Sequence, residues 1–388
     1  MRKFKNIAAV LTAIILVLSP VQVQGFADGT FAEKAGLDIS VTERESSGSY
    51  DASNAVCLYT DDDLTITAEG VYILCGEYKN QMILVDAAKE DKVQIVLENA
   101  VIANSSGPAV YVKSADKVFI TAAAGTENSI SDGSQYAMTD GETEVDAAVF
   151  SKDDLVINGS GKLTISGNMK HAVVSKDDLV VTAKNLTVTA VSKCLCGKES
   201  VVLSDASADL QAGTDGIRSD EYVAISGGTV NISASEGIEG TYILISDGKI
   251  TISATDDGIN AAKKSDTLSP LVEITGGTIN ISMGPGDTDG IDVNGDIIIS
   301  GGVIDITGSS SFDYDGAVDF TEGTVYVNGR IVSELPNQMM GGFGVMPGEF
   351  GGRGMSGGGR GWNRSDAPGQ GFGGEPPMGR GEMRNVMP

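Results

Sequence analysis

The chain has 388 residues, a formal net charge of −26 and a single histidine. The negative charge argues against nucleic acid as a partner, because binding to phosphates requires a basic surface. One histidine argues against a zinc or copper site. The excess of carboxylates instead favours a hard cation as a ligand.

The first residues have the pattern of a secretory signal peptide. Basic residues at Arg2, Lys3 and Lys5 precede an apolar run over residues 7–18, and small residues follow near Gly25. This order predicts a signal peptide over residues 1–27 and a secreted mature chain with no membrane span. The alternative is a retained N-terminal anchor.

An acid-Gly-Ile step recurs along the second half of the chain. Each copy is followed by an alternating strand, a Gly-rich turn and a second strand, as in "VAISGGTVNIS". The copies begin at Asp215, Glu236, Asp257 and Asp289, with a weaker copy at Asp315. The interval between the first copies is 21 residues, and an insertion over residues 261–270 lengthens a later one.

These strands alternate between two faces, with Val223 and Ile225 on one and Ala224 and Ser226 on the other. Each repeat has one apolar face and must stack on its neighbours to bury it. The sequence therefore predicts an all-β fold, a right-handed parallel β-helix (solenoid), over residues 63–335. An antiparallel β-sandwich is the competing fold. We expect residues 28–62 to form an N-terminal linker or cap.

Residues 336–388 are rich in Gly, Met and Arg and have few β-branched residues. Such a composition cannot bury enough apolar surface to offset chain entropy, and it predicts a disordered C-terminal tail. The tail is a candidate for association with a cell wall, and a passive linker is the alternative.

In a parallel coil, equivalent residues of successive turns stack about 4.8 Å apart, so the acids of the repeat should form ladders. Stacked carboxylates at this distance repel by about 1 kcal/mol per pair in water. Calcium, which prefers six to eight oxygen ligands, would relieve this repulsion. A solvated acidic edge is the alternative. The predicted calcium ligands are Asp215, Glu236, Glu239, Asp257, Asn260, Asp289, Asp292 and Asp315.

Three further residues are candidates for contact with a substrate. Tyr222 and Tyr242 precede inward-facing residues and should stack outward, where they could hold sugar rings or only support the sheet. Arg218 occupies the position of Glu239 in the next repeat and should close the acidic ladder as an ion-pair partner. On earlier repeats, a basic stack is predicted for Lys152, Lys176 and Lys198.

The four cysteines are Cys57, Cys75, Cys194 and Cys196. An even number in an exported chain permits disulfides without requiring them. We expect small buried residues, or one bridge between Cys57 and Cys75.

The motifs "SGPAVYVKSADKVFI" and "SKDDLV", the "SGGT" turns with acid-Gly-Ile edges and the Gly-rich tail resemble a secreted bacterial carbohydrate-binding β-helix family, pectate-lyase-like in architecture. The resemblance covers most of residues 50–330. It implies calcium binding and association with plant cell-wall polysaccharides such as pectin and cellulose.

The expected function is therefore extracellular, calcium-dependent binding of an acidic polysaccharide such as polygalacturonate. Cellulose is a weaker candidate, because aromatic residues make up only 5% of the chain. The chain is not expected to be an enzyme. The alternatives are a calcium-dependent polysaccharide lyase with Arg218 as its base, and a surface adhesin or scaffold whose ladders serve only stability.

Overall fold

The computed structural model of the protein describes residues 29–58, 63–137, 144–285 and 288–337. The predicted signal peptide and the predicted tail beyond residue 337 lie outside the described residues. Within these ranges, no helix has the length and apolar character needed to cross a membrane. Two short α-helices, Phe31–Ala35 (α1) and Glu43–Ser47 (α2), and a 3₁₀ turn at Ala52–Asn54 precede the strands.

The described residues form 28 strands. The first fourteen are β1 (Val56–Leu58), β2 (Leu64–Ile66), β3 (Gly70–Lys79), β4 (Ile83–Asp86), β5 (Lys92–Ala103), β6 (Val110–Ser114), β7 (Lys117–Ala122), β8 (Glu127–Ser131), β9 (Ala147–Ser151), β10 (Asp154–Gly159), β11 (Lys162–Gly167), β12 (His171–Ser175), β13 (Asp178–Val181) and β14 (Leu186–Ala190). The others are β15 (Leu195–Gly197), β16 (Ser200–Ala212), β17 (Asp215–Ser219), β18 (Tyr222–Ala234), β19 (Glu236–Gly240), β20 (Tyr242–Ala254), β21 (Ile259–Ala261), β22 (Leu271–Ile274), β23 (Thr278–Met283), β24 (Ile291–Val293), β25 (Asp296–Thr307), β26 (Phe312–Tyr314), β27 (Val318–Val327) and β28 (Arg330–Val332).

The strands form two sheets that wind together as a parallel β-helix. Eleven short strands, one from each turn, make the short-strand sheet, and seventeen strands make the long-strand sheet. Within the described residues, the strands pair in parallel except for the antiparallel pair of β27 and β28. The predicted β-helix is therefore confirmed, and the antiparallel sandwich is excluded.

The core consists of aliphatic columns that run along the solenoid axis. On the short-strand sheet, Ile217, Ile238, Ile259 and Ile291 are in register and fully buried. Burying each such side chain contributes about 1.5–3 kcal/mol. Each of these turns adds an isoleucine at the same inward position, so the repeat in the sequence produces a continuous core.

The glycine of the acid-Gly-Ile step leaves room for this core. A Cβ on Gly237 would lie 2.3 Å from the carbonyl oxygen of Gly258 and 2.5 Å from Cγ2 of Ile252. The same close approach recurs at Gly216, Gly258 and Gly290. A larger residue would push the turn outward, so glycine determines where the preceding acid lies.

Residues 29–50, here called the N-terminal strap, lie along the outer face of the long-strand sheet. The strap begins at β20 and β22, where the backbone N–H of Phe31 donates to Glu273 Oε2 at 2.9 Å. It ends near β5, where Gln94 Nε2 donates to the carbonyl oxygen of Ser49 at 3.0 Å. Residues 29–50, which belong to the predicted linker or cap of residues 28–62, thus cover a flank of the solenoid.

The first and last strands of the solenoid are β1 and β28. Strand β1 pairs in parallel with β3, so residues before 63 already belong to the coil. At the other end, β28 folds back on β27 and covers the last turn.

All four cysteines are free thiols, so the predicted alternative of a bridge between Cys57 and Cys75 is absent from the described residues.

Candidate functional site

The outward face of the short-strand sheet has a continuous column of polar residues. The register aligns Arg218 with Glu239, Glu239 with Asn260, Asn260 with Asp292 and Asp292 with Asp313. This is the arrangement that the repeat predicts, since stacking in register superimposes equivalent positions. The column begins with a cation and continues with oxygen-bearing side chains.

A second acidic column runs beside the first, formed by the acids of the acid-Gly-Ile steps. Asp215 is in register with Glu236. The N–H of Gly237 donates to the carbonyl oxygen of Asp257, and that of Gly258 donates to Asp289, which places these acids on the next two turns. Asp289 accepts a hydrogen bond from Ser310, which ends the column.

Asp315 does not belong to either column. Phe312 pairs with Ile291, so residues Ser310 to Phe312 occupy the position of the step that the sequence suggests at Asp315. Asp315 follows β26 in the turn toward the long-strand sheet and is exposed. The predicted ligand role of Asp315 within the ladder is wrong, because the acid and glycine there fall in a different turn. Asp313 occupies the ladder position.

Cations neutralise the first acids of the two columns. Asp215 pairs with Lys193, and Arg218 Nη1 lies 2.6 Å from Glu239 Oε2. Lys264 Nζ lies 2.5 Å from Glu239 Oε1. Burial acts to raise the pKa of Asp215, but hydrogen bonds to Glu239, Lys193 and Thr214 outweigh it and lower the pKa to about 2. The predicted role of Arg218 as an ion-pair partner is confirmed.

The carboxylates of Asp215, Glu236 and Glu239 approach one another within 4.8 Å, which alone would suit a metal ion. The ion pairs of these acids argue against a metal ion at this position. Lys193, Arg218 and Lys264 already supply positive charge to two of the three acids, so a cation would gain less there than at the next turns.

The following acids have no such compensation. Among the described residues, no lysine or arginine lies within ion-pair distance of Glu236, Asp257, Asp289 or Asp292. Burial, followed by repulsion from neighbouring carboxylates, raises the pKa of Glu236 to about 7 and that of Asp257 to about 7. The same causes raise the pKa of Asp292 to about 6. Protons or a cation must balance this charge.

Asn260 lies between these acids and provides an unsatisfied oxygen. Its Nδ2 is 3.4 Å from Glu236 Oε2 and 3.4 Å from Asp257 Oδ2, whereas its Oδ1 is buried without a hydrogen-bond partner. A buried acceptor left unpaired destabilises the fold by about 1–3 kcal/mol. Carboxylate and amide oxygens are the ligand types that calcium prefers, so the chemistry of these side chains suits the ion. Among the described residues, no three of the four uncompensated carboxylates lie within 4.8 Å of one another, so they are more widely spaced than the group at Asp215, Glu236 and Glu239.

The predicted sugar platform of Tyr222 and Tyr242 is wrong. Both rings point away from the aliphatic core, as predicted, but the N-terminal strap covers them and leaves 6% and 0% of the residues exposed. Tyr222 donates to the carbonyl oxygen of Asp38 at 2.9 Å, and Tyr242 donates to Glu273 Oε2 at 2.6 Å. These phenols anchor the strap and are not accessible to a sugar.

Sequence reasoning missed two cations of the site. Lys193 precedes Asp215 by 22 residues and donates to it from the preceding turn. Aligning the turns in register would have placed Lys193 at the head of this column. Lys264 comes from the insertion over residues 261–270, which breaks the period, so its contact with Glu239 carries no repeat signal.

Comparisons with known proteins identify a matching family and two similar proteins. A family described as "Carbohydrate-binding domain-containing protein" matches residues 60–241 and 214–325. A relative of that description from Acetivibrio thermocellus is 34% identical over 132 residues, which cover 34% of this chain and 46% of the relative. The chain therefore matches less than half of that relative's length.

A solved structure described as the polysaccharide lyase-like protein from C. thermocellum, gadolinium derivative, is also similar. It is 26% identical, with a TM-score of 0.41, and the match covers 70% of this chain and 89% of the other. The family match spans residues 60–325, which is more than half of the chain. By this match, the chain belongs to the family of carbohydrate-binding domain-containing proteins.

Proposed function

We propose that this protein is a secreted, non-catalytic binder of acidic polysaccharide, and that calcium held on the short-strand sheet mediates the binding. The observation that carries the proposal is the group of acids at Glu236, Asp257, Asp289 and Asp292, which have no cationic partner among the described residues. Two of them, Glu236 and Asp257, contact the amide of Asn260, whose Oδ1 is buried without a hydrogen-bond partner. The family to which the chain belongs supports carbohydrate as the ligand class.

Calcium also resolves an electrostatic conflict in this proposal. A chain with a net charge of −26 repels a polyuronate, because both carry negative charge. A calcium ion bound to the ladder retains open coordination positions that carboxylates of the polymer can fill. Polygalacturonate is therefore the expected ligand, and crystalline cellulose is the weaker one because the tyrosine platform is covered.

The contacts of Arg218 argue against the lyase alternative. A lyase of this type needs a base that can take the proton beside a uronate carboxylate. Burial acts to lower the pKa of Arg218, but the carboxylates of Glu239 and Asp215 outweigh it and raise the pKa above its ordinary value. Arg218 therefore stays protonated and paired, and it serves better as a structural cation than as a base.

The test is retention of the protein on immobilised polygalacturonate in calcium and in chelator, with ultraviolet absorbance of the soluble phase followed in the same samples. We expect clearly stronger retention in calcium than in chelator, and no unsaturated product. Equal retention in both conditions would refute the calcium requirement. Accumulation of ultraviolet-absorbing product would make the protein a lyase.

A charge-matched pair of variants locates the site. D257N/D289N should lose calcium binding in titration calorimetry while circular dichroism stays that of a β-helix. D209N/D247N changes the net charge equally at exposed positions of the long-strand sheet and should bind calcium like the native chain. Unchanged calcium affinity in D257N/D289N would remove the assigned ligands.

A further inference from the structure

A second feature of the short-strand sheet lies on the turns that precede the acidic columns. Here a pocket of about 370 Å³ is lined by Glu144, Val145, Phe150, Lys152, Lys176 and Lys198. Its volume is within the range of small-ligand sites, which is about 300–1,000 Å³. The calcium ladder does not include any of these residues.

The lysines of this pocket are stacked by the register of the solenoid. Ser151 pairs with Ser175, and Ser175 pairs with Gly197. Each of these residues is followed directly by a lysine, so Lys152, Lys176 and Lys198 occupy one column on three successive turns. The backbones of successive turns are about 4.8 Å apart, so the column concentrates positive charge and favours an anion as its ligand.

The second and third lysines of the column lack an acidic partner. Lys176 and Lys198 are exposed, and neither has a carboxylate within ion-pair distance in the part of the chain that the structure describes. By contrast, Lys170 and Lys193 on neighbouring positions are both ion-paired. The positive charge of Lys176 and Lys198 is thus available to an external group.

The floor of the pocket is apolar and rigid. Val145 and Phe150 are buried with 3% and 1% exposed, and the Phe150 ring packs edge-on against Tyr111 at 6.0 Å between centroids. The Nζ of Lys176 lies 5.6 Å from the centroid of Phe150, which orients the lysine over the ring. An apolar floor with a few charged groups at the rim suits a pyranose ring that bears a carboxylate.

We propose that this pocket binds a uronate residue directly, through Lys176 and Lys198 and without calcium. The proposal rests on the proposed function only in taking an acidic polysaccharide as the ligand. The short-strand sheet then has two successive parts: a basic pocket that pairs with the carboxylate of the sugar, and an acidic ladder that reaches the polymer through calcium. Arg218 marks the boundary between them.

The experiment measures binding of trigalacturonate by titration calorimetry in chelator, where the calcium ladder cannot contribute. Native protein should bind trigalacturonate and not cellotriose, with an affinity that falls as salt is added. K176Q/K198Q should bind trigalacturonate at least about tenfold more weakly, since each lost charge-assisted contact is worth roughly a factor of ten. K162Q/K249Q removes two exposed lysines from the long-strand sheet and should bind like the native protein.

The outcomes separate this proposal from the calcium-dependent one. If native protein shows no binding to trigalacturonate in chelator, or if K176Q/K198Q binds it like the native chain, the pocket is not a uronate site. Retention on polygalacturonate in calcium tests the ladder independently, and it should persist in K176Q/K198Q at reduced strength. If native protein shows no calcium-dependent retention, the calcium-binding role of the ladder is refuted, and the pocket proposal still stands.

Discussion

Arg218 Nη1 lies 2.6 Å from Glu239 Oε2, at the point where the outward column of the short-strand sheet changes from cationic to acidic. The same guanidinium lies 3.7 Å from Asp215 Oδ1, so one arginine serves both acidic columns. Its removal would leave the carboxylates of Asp215 and Glu239 with less compensation. The arginine therefore defines where the uncompensated part of the ladder begins.

The variant R218Q tests this boundary. We expect a lower melting temperature in chelator, because breaking a partly buried pair leaves carboxylates without their partner. Calcium should then raise the melting temperature more in R218Q than in the native chain, since the enlarged acidic group binds a cation more strongly. Differential scanning calorimetry with and without calcium measures both effects. An equal calcium shift in the two proteins would contradict this role of Arg218.

Stability in chelator should fall as the pH rises. The pKa values of Glu236 and Asp257 are about 7 in the folded chain, compared with about 4 in an unfolded one. The folded chain then binds more protons than the unfolded chain between these values, so the free energy of unfolding decreases from about pH 4 to about pH 7. The lowered pKa of Asp215, about 2, affects the free energy of unfolding only below about pH 4.

Melting temperatures at pH 5 and pH 8, with calcium and with chelator, check this dependence. Calcium should stabilise the protein strongly at pH 8 and weakly at pH 5, because protons compete with the ion for the same carboxylates. A calcium effect of the same size at both pH values would show that these acids do not bind it.

The N-terminal strap should contribute to stability through Glu45. This buried side chain accepts hydrogen bonds from the backbone of Thr42 at 2.8 Å and from Lys117 Nζ at 2.7 Å. E45A should lower the free energy of unfolding by about 1–3 kcal/mol in urea titrations, because Lys117 loses a charged partner. E43A removes an exposed acid from the same helix and should change it little. Equal losses of stability in E45A and E43A would show that the contact of Glu45 with Lys117 does not stabilise the fold.

Two variants in strand β19 test whether the glycine of the acid-Gly-Ile step is needed for close packing. G237A would place a Cβ 2.3 Å from a backbone oxygen, so we expect a loss of about 1–3 kcal/mol from overpacking. In G240A the nearest atoms are 3.4 Å away, and the substitution should be tolerated. Thermal unfolding of the two variants measures the difference. A stable G237A would mean that the turn can move outward without loss of packing.

The solenoid and its acidic columns could be predicted because a parallel coil converts sequence period into spatial stacking. Once Asp215, Glu236 and Asp257 are known to recur at 21 residues, their alignment follows from the fold. The predicted acid-Gly step at Asp315 was wrong because stacking depends on the register of the turn and not on the motif alone. An acid followed by glycine is a weak signal, and the apolar Phe312 that aligns with the core lies three residues earlier.

The position of the strap could not be predicted from the sequence. Its contacts join residues separated by 210 and 242 positions, such as Ala32 with Tyr242 and Phe31 with Glu273. No periodic pattern connects these pairs, and the two five-residue helices give little periodicity of their own. The outward direction of the tyrosines was correct, but the segment that buries them comes from elsewhere in the chain.

The sequence by itself determined the repeating architecture, the aliphatic core and the stacking of the acids, since all three depend on local alternation and a constant period. Only the tertiary structure decided which acids are paired and which surface is covered. Charge compensation by Lys193 and Lys264, and burial under the strap, depend on distances between turns and segments that the linear pattern does not contain.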